Sequence, residues 1–305
     1  MTVQLHHLRC FVAIVEHGGF TDAAAELGTS QPAVSRGLAA LEKELGLRLL
    51  RRTTREVVPT PAGQRILPRA RRLLADLDAL VHDAQGGGDR LRIGHAWAAV
   101  GRHTVEFQHR WATRHPDVEL SMVRTNSPTG GLTEGACDIA VLRTPDAAGL
   151  TDARFDDAIV GLESRYAAVA ADDPLAARRS LRLADLAERV VAIDPRTGTT
   201  TVDLWPAGSR PKVHEVHDVD DWLAVIASGR AVGVTAESTI TQYRRHGVAF
   251  RRLRGAPPVP VRLVWWRDDP HPATGEAVGM LAELYRSPAR PRRAVTPSAA
   301  DVKRG

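Results

Sequence analysis

Between Leu5 and Gly46 apolar residues recur at helical spacing in successive short blocks. Leu5, Leu8, Phe11, Val12 and Val15 give one apolar face to a helix over Leu5 to His17, which Gly18-Gly19 stops. The next block opens at Phe20. Thr21 is suited to cap it, and Asp22 would face the positive end of the helix dipole. Ala23, Ala24 and Ala25 favour helix and are small enough for a second helix to approach closely. Gly28 supplies the positive φ that ends this helix, Thr29-Ser30 caps the next, and Pro32 falls in its first turn. There Val34, Leu38, Leu41 and Leu45 follow at i, i+4, i+7 and i+11, one buried stripe. Gln31, Ser35 and Arg36 lie off that stripe near the helix start. Helix, glycine turn, helix, with a third helix packed across both, predicts a helix-turn-helix. An ordinary αα-hairpin with merely solvated polar residues would show the same stripe, so the neighbouring segments decide.

After Gly46 the run LRLLRRTTREVVPT places two short β-prone pieces around a basic polar tip, a small hairpin or wing. Guanidinium groups on such a tip can reach phosphates or an adjacent minor groove while a helix occupies the major groove. Thr60-Pro61 then opens a long helix with a cap and an early proline. Ile66, Ala70, Leu73, Leu77, Leu80 and Ala84 recur at 4, 3, 4, 3 and 4. This is a narrow a/d seam that predicts pairing with the same helix of a second subunit. Pro68, just past the first turns, predicts a local bend. The Gly-rich segment from Asp83 to Asp89 predicts a flexible hinge and the clearest domain boundary.

Beyond that hinge the periodicity changes. RLRIGHAWA, VELSMV and Ile139 to Leu142 read as strands, with a helix over Gly101 to Arg114 and a short helix before Gly135. Strand-helix-strand-helix-strand implies a parallel sheet with right-handed crossovers. A second set follows: the strand RYAAVA, a helix in SLRLADLAE, the strand VVAID, a helix over Asp220 to Ser228 and the strand AVGVTAES. The strand VPVRLVWWR and a helix over Ala277 to Arg286 would return to the first lobe. The expected layout is a DNA-binding unit over 1–59 and a linker helix with hinge over 60–89. Lobe I then takes 90–165 and 259–286, lobe II takes 166–258, and 287–305 forms a disordered Pro- and charge-rich tail.

Charge sharpens this picture. The net charge is +5, and Arg48, Arg51, Arg52, Arg55, Arg65, Arg69, Arg71 and Arg72 crowd one stretch in which Glu56 is the only acid. Such a stretch suits a polyanion. Cys10 and Cys137 have no metal or disulfide spacing and read as small buried hydrophobes in a reducing compartment. No apolar run approaches the ~18 residues needed to cross a membrane, and MTVQLHHLRCF lacks an export signal, so a cytoplasmic protein with no membrane partner is expected. No Ser elbow, Walker loop or zinc-binding pattern is visible, which argues against an enzyme and predicts no metal or cofactor. Asp172-Asp173 and Asp220-Asp221 flank helix starts and read as caps.

The stretch FVAIVEHGGFTDAAAELGTSQPAVSRGLAALEKELGLRLLRRTTREVVPTPAG resembles the N-terminal region of LysR-type transcriptional regulators. It carries AA-x-x-L-x-x-SQPA-x-S, LE-x-ELG-x-x-L and T-x-AG; Leu50 where Phe is usual and Pro59-Thr60 for Leu-Thr are mild departures. The later segments LRIG, HPDVEL, L-x-x-G-x-x-D-I-A, ADDPLA and SGRAVGVTAES resemble that family's regulatory domain, in order. The resemblance implies an α/β protein: a winged helix-turn-helix, a long linker helix and a two-lobed, periplasmic-binding-protein-like (type II) effector domain. It further implies that Ser30, Gln31, Pro32, Ser35 and Arg36 of the recognition helix, with Arg52, Thr53 and Arg55 of the wing, contact double-stranded DNA. The implied protein binds an inverted-repeat operator as a homodimer or homotetramer, answers to a small-molecule effector, and would meet RNA polymerase if it activates. A solute-binding protein or an enzyme built on the two-lobed part is the alternative.

Ligands in such sheets sit beyond the carboxyl ends of the strands, where the lobes meet. That rule nominates His95, Ala96, Trp97, Thr125, Asn126, Arg143 and Thr144 in the first lobe. In the second it nominates Thr197, Thr199, Thr200 and Thr235. Helix N-termini with Arg143 would suit an anion; Arg143 would equally serve as an ion-pair partner.

Overall fold

The computed structural model describes residues 3–52, 57–84, 89–144 and 152–287. The N-terminal unit is built from α1 (Leu5–Glu16), α2 (Phe20–Glu26) and α3 (Gln31–Leu45), then the antiparallel pair β1 (Leu50–Arg52) and β2 (Val57–Pro59). Its core gathers Leu8, Phe11 and Ile14 of α1, Phe20 and Ala23 of α2, and Val34, Leu38 and Leu41 of α3. Leu5, expected inside, is 43% exposed because it sits at the frayed first turn. Gly28 has φ +59 and ends α2 as expected. Thr21 is not the cap of α2: the helix begins at Phe20, with Gly19 in extended backbone as its N-cap and the Ala23 N–H bonded to the Gly19 carbonyl.

Two contacts fix the wing and the long helix to this core. The Glu42 carboxylate, almost wholly buried, accepts the backbone N–H groups of Leu49 (2.7 Å) and Leu50 (3.2 Å) and is reached by Arg48 at 3.1 Å. The Thr60 hydroxyl donates to the Arg48 carbonyl at 2.6 Å and accepts from the Gly63 N–H at 3.0 Å, capping α4 (Pro61–Ala84). Gly63 is obligatory in this arrangement, since a Cβ there would lie 2.1 Å from the Leu49 carbonyl oxygen. α4 carries Pro68 internally, without a break in the helix assignment.

The predicted seam of α4 divides. Ala70 is buried in the N-terminal core, and Ile66 packs half-buried against the same cluster, so these two are not free for a second subunit. The early turns of α4 lie along α1 and their apolar positions are taken there. Leu73 and Leu80 are exposed and Leu77 is half-buried.

The rest of the chain forms two sheets. In the first, β3 (Asp89–His95) pairs in parallel with β4 (Val118–Arg124) and β5 (Ile139–Leu142); β13 (Val259–Trp266) runs antiparallel to β5 and to β6 (Phe155–Glu163). The order is β4-β3-β5-β13-β6. The helices α5 (Thr104–Arg114) and α8 (Thr274–Arg286) cover it through Phe107, Trp111, Met280 and Leu281. The second sheet contains β7 (Arg165–Ala170), β8 (Ser180–Leu181), β9 (Val190–Ile193), β10 (Lys212–Glu215), β11 (Val232–Ala236) and β12 (Val248–Leu253), in the order β10-β9-β11-β7-β12-β8. On one face it packs α6 (Val219–Ala227) through Val219, Trp222 and Ile226; α7 (Glu237–Gln242) follows β11. The chain passes between the sheets twice, at Ser164 and again between Leu253 and Val259.

Two predicted helices are absent. Residues 131–135 form turns, because Gly130, Gly131 and Gly135 all adopt positive φ. SLRLADLAE gives only the short strand β8 and a single 3₁₀ turn over Leu183–Leu186: extended pairing of Leu181 with Leu253 outweighs local helix preference. The predicted tail, and most of the predicted hinge (residues 85–88), lie outside the described residues. No helix among the described residues is long and apolar enough to cross a membrane.

Gly63→Ala should lower unfolding stability by about 1–3 kcal/mol despite a helix-propensity gain of about 1 kcal/mol, because a backbone carbonyl cannot step aside. Urea denaturation of the two proteins checks this; a more stable variant would refute the packing argument.

Candidate functional site

The recognition surface follows from the burial of α3. With Val34, Leu38 and Leu41 turned inward, Gln31, Pro32 and Arg36 stand exposed and Ser35 is half-buried on the flank. Ser30 is the N-cap by backbone conformation (φ −88°, ψ 148°), but its hydroxyl makes no capping bond. No acid occupies the first turn of α3, so the positive end of its helix dipole meets no carboxylate there. Arg36 has no carboxylate partner among the described residues. Arg48 and Arg51 are exposed at the adjoining wing. Thr53, Arg55 and the side chain of Arg52 lie outside the described residues.

Behind this surface, α4 runs on to the first sheet. Arg71 pairs with Glu16 at 3.0 Å, and Arg72 pairs with Asp269 and lies over the Trp266 ring at 5.1 Å.

Between the two sheets opens a cleft of about 260 Å³. Ala96, Trp97, Arg143, Thr144, Thr197 and Thr199 line it, as the strand-end rule anticipates. His95, Thr125, Asn126, Thr200 and Thr235 do not. His95 is buried behind the wall. Thr200 and Thr235 turn inward, donating to the Val234 carbonyl (2.9 Å) and the Thr239 hydroxyl (2.7 Å). Thr125 is only half-buried, but its hydroxyl oxygen is buried with no hydrogen-bond partner among the described residues. Asn126 instead spans the lobes, donating to the His217 carbonyl at 2.7 Å; Arg196 donates to the same carbonyl at 2.5 Å. Ser127, Pro128, Arg196, Ser238 and Thr239 are among the other lining residues and were not anticipated. Ser127 sits in the turn after β4 and Ser238 in the first turn of α7. Both lie beyond a strand's carboxyl end, so the same rule extended by two residues would have found them.

The loop from Pro195 to Thr199 is shaped by Asp194, whose buried carboxylate accepts the Arg196 N–H at 2.9 Å and the Thr197 hydroxyl at 2.5 Å. The Trp97 indole N–H, the Ser238 hydroxyl and the Thr144 hydroxyl are buried without a hydrogen-bond partner among the described residues. Buried donors of this kind are costly unless something accepts from them.

Arg143 is not the free cation that an anion would need. Its guanidinium donates to both Glu163 oxygens, at 3.2 and 2.9 Å, and to the carbonyls of Ala98 (2.6 Å) and Ala99 (2.7 Å). Glu163 also accepts from the Tyr285 hydroxyl at 2.8 Å and the Ser238 N–H at 3.0 Å. Burial alone would raise the pKa of Glu163, but the charge and hydrogen bonds of Arg143, with those of Ser238, bring it down to about 2. Burial and the neighbouring carboxylate push the Tyr285 hydroxyl well up. His95 is held neutral: burial first, then Arg143 and Arg124, lower its pKa to about 4. Cys10 and Cys137 are free, buried thiols, and burial pushes Cys137 up to about 12.

A winged helix-turn-helix with a bare, cation-bearing recognition helix, joined by a long helix to a two-lobed cleft, defines an effector-responsive DNA-binding regulator. Comparison with known proteins agrees. Residues 5–64 match the model for the bacterial regulatory helix-turn-helix protein, lysR family, and residues 84–286 match the LysR substrate binding domain. The chain is 33% identical over 284 residues to the small neutral protease regulatory protein of Streptomyces coelicolor, covering 87% of this chain and 81% of that one. It is 30% identical over 251 residues to the HTH-type transcriptional regulator BenM of Acinetobacter baylyi, covering 78% and 81%. Among solved structures, CbnR, a LysR family transcriptional regulator, shares the fold with a TM-score of 0.66 at 23% identity, over 93% of this chain and 100% of that one. Full-length CbnR complexed with its target DNA gives 0.62 at 24%, over 92% and 99%. The chain belongs to the LysR family: it is a DNA-binding transcription regulator with an effector-binding domain.

The neutral His95 carries a pH consequence. Its folded pKa of about 4 lies below its ordinary value of 6.5, so its contribution to stability is complete above pH 6.5 and is lost as pH falls towards 4. At pH 4.5 this loss should reach about 2–3 kcal/mol. Urea denaturation at pH 7.5 and 4.5 should show the loss shrinking in His95→Asn relative to the parent; an equal loss in both would remove His95 as its source.

Proposed function

We propose that this regulator binds an inverted-repeat operator as a dimer or tetramer, with Ser30, Gln31, Pro32, Ser35 and Arg36 in the major groove and the wing arginines on the backbone. The observation that carries this is the N-terminal half of α3: exposed Gln31 and Arg36, no acid in the first turn, and no carboxylate on Arg36 among the described residues. A guanidinium in that position matches the paired acceptors on a guanine edge. Two such helices related by a two-fold axis would read half-sites ~10 bp apart, or a multiple.

Self-association through α4 is supported by its distal half. Leu73, Leu80 and Val81 are 54%, 65% and 45% exposed on a helix whose proximal apolar residues are already covered. Leu73, Leu77 and Leu80 are therefore the dimerisation residues on this reading, with Ile66 and Ala70 withdrawn.

The cleft would take a small effector rich in hydrogen-bond acceptors. Its volume of about 260 Å³ limits size, and Trp97, Thr144 and Ser238 offer unused donors. An anionic effector would be held by these neutral donors rather than by Arg143, whose charge Glu163 already neutralises. Closure of the lobes around it would alter the placement of paired DNA-binding units. The protein would act in the cytoplasm, with RNA polymerase as a partner where it activates.

Arg36→Ala should weaken operator binding by about 1–3 kcal/mol and relax base preference at one position per half-site. Gel-shift titration against operator and single-base variants measures both; unchanged affinity would remove Arg36 from the contact set. Leu80→Glu, exposed and so harmless to the monomer fold, should shift the protein towards monomer in sedimentation velocity. An intact oligomer would rule out the α4 seam as the interface.

A further inference from the structure

Away from the cleft, a second cavity of about 640 Å³ opens where the chain passes between the lobes. Ser164 and Arg165 from one crossing line it, together with Arg252 and Arg254 from the other, and Arg179 and Ser180 beside them. No carboxylate lines it among the described residues. Elsewhere in the α/β part several arginines do sit against acids: Arg143 against Glu163, Arg189 against Asp173, Arg210 against Asp203 and Arg267 against Asp156.

Arg165 is the telling member. It is only 2% exposed, and its guanidinium donates to the carbonyls of Pro257 (2.9 Å) and Thr199 (2.7 Å) without any carboxylate among the described residues. Carbonyls accept hydrogen bonds but supply no counter-charge. A buried, uncompensated cation is costly, and three further guanidinium groups around the same space add mutual repulsion. Burial lowers the pKa of Arg165 only to about 10, so it remains charged at neutral pH. Exposure to water accounts for Arg179 and Arg254, which are solvated; it does not account for Arg165.

We propose that this basic cavity is a binding site for a small, multiply charged oxyanion, carrying either phosphate groups or several carboxylates. Planar guanidinium groups pair with both through two parallel hydrogen bonds, and the Ser164 and Ser180 hydroxyls add donors at the rim. The volume exceeds that of one phosphate and accommodates a ligand with two or more charged groups. Bound there, the anion bridges both crossings between the lobes. It also sits on Arg165, whose other hydrogen bond holds the Thr199 carbonyl at the edge of the cleft, so occupancy would stiffen the hinge. This last consequence rests on the effector reading of the cleft; the binding itself does not.

Isothermal titration of the full-length protein at fixed ionic strength tests the site, using sodium pyrophosphate and sodium citrate in parallel, with chloride at matched strength as the blank. Binding of either anion is expected, and the tighter one identifies the ligand chemistry. The variant R179Q/R254Q, altered only at exposed positions, should weaken that binding at least tenfold while keeping operator affinity. R36A, on the DNA surface, should leave it unchanged. No heat beyond the chloride blank, or binding lost in R36A but kept in R179Q/R254Q, overturns the proposal.

Discussion

Glu163 ends β6, one residue before the chain leaves the first lobe, and its carboxylate gathers three otherwise separate parts of the domain. Arg143 arrives from the end of β5, Tyr285 from α8, and the Ser238 N–H from the start of α7 in the other lobe. Removing a carboxylate and a guanidinium from water is expensive, and their mutual attraction repays it only where the remaining lone pairs and protons are also satisfied. Here they are, down to the two carbonyls of Ala98 and Ala99 that take the outer face of Arg143. The pair is therefore ionised at neutral pH, with the Glu163 carboxyl held down to about 2 by Arg143 and Ser238 against the opposing effect of burial. It also fixes the wall of the cleft, because Arg143 and Ser238 both line it. The part of the cleft wall that Arg143 forms is thus internally neutral, and on the reading proposed above recognition of a ligand would fall to hydroxyl and indole donors.

At the other end of the molecule a second buried carboxylate does comparable work with different partners. Glu42 has backbone N–H groups for company, those of Leu49 and Leu50, at the point where the recognition helix gives way to the wing. Together with the close approach of Gly63 to the Leu49 carbonyl, it sets the angle between α3 and the hairpin that follows it. Exposed groups such as Gln31 and Arg36 can be read for chemistry because these hidden contacts hold their scaffold still.

Much of the N-terminal unit was legible because its determinants are local. The 3.6-residue stripe of α3, the positive φ of Gly28 and the T-x-AG cap of α4 each depend on residues a few positions apart. Strands β3, β5, β11 and β13 were legible as apolar runs. β6 was not: FDDAIVGLE carries an acidic pair that looks like a turn, and only β13 and the residue after it, supplying Arg262 and Arg267, make it a strand. The seam on α4 misled in its first half, since the same spacing serves a neighbouring helix in the same chain as well as one in another chain. Arg143 was open between anion anchor and ion-pair partner for the same reason. Its partner is twenty residues away in sequence and reaches it only once β5, β13 and β6 are side by side.

That sheet also supplies a physical connection between the cleft and the DNA-binding end. β6, which carries Glu163, pairs with β13 along most of its length, and β13 delivers Trp266 and the turn holding Asp269 to Arg72 of α4. The turn at Gly135, after the segment that lines the cleft with Ser127, lies against the Arg71 carbonyl so closely that a Cβ would stand 2.9 Å from it. A sheet with its hydrogen bonds intact moves as a body. Any rotation of the first lobe about the crossings at Ser164 and Leu253 to Val259 would therefore be felt by α4 at Arg71 and Arg72, next to Ala70, which anchors the helix in the N-terminal core. The first sheet thus connects the crossings at one end to the linker helix at the other, the path along which a ligand between the lobes would act on the reading proposed above.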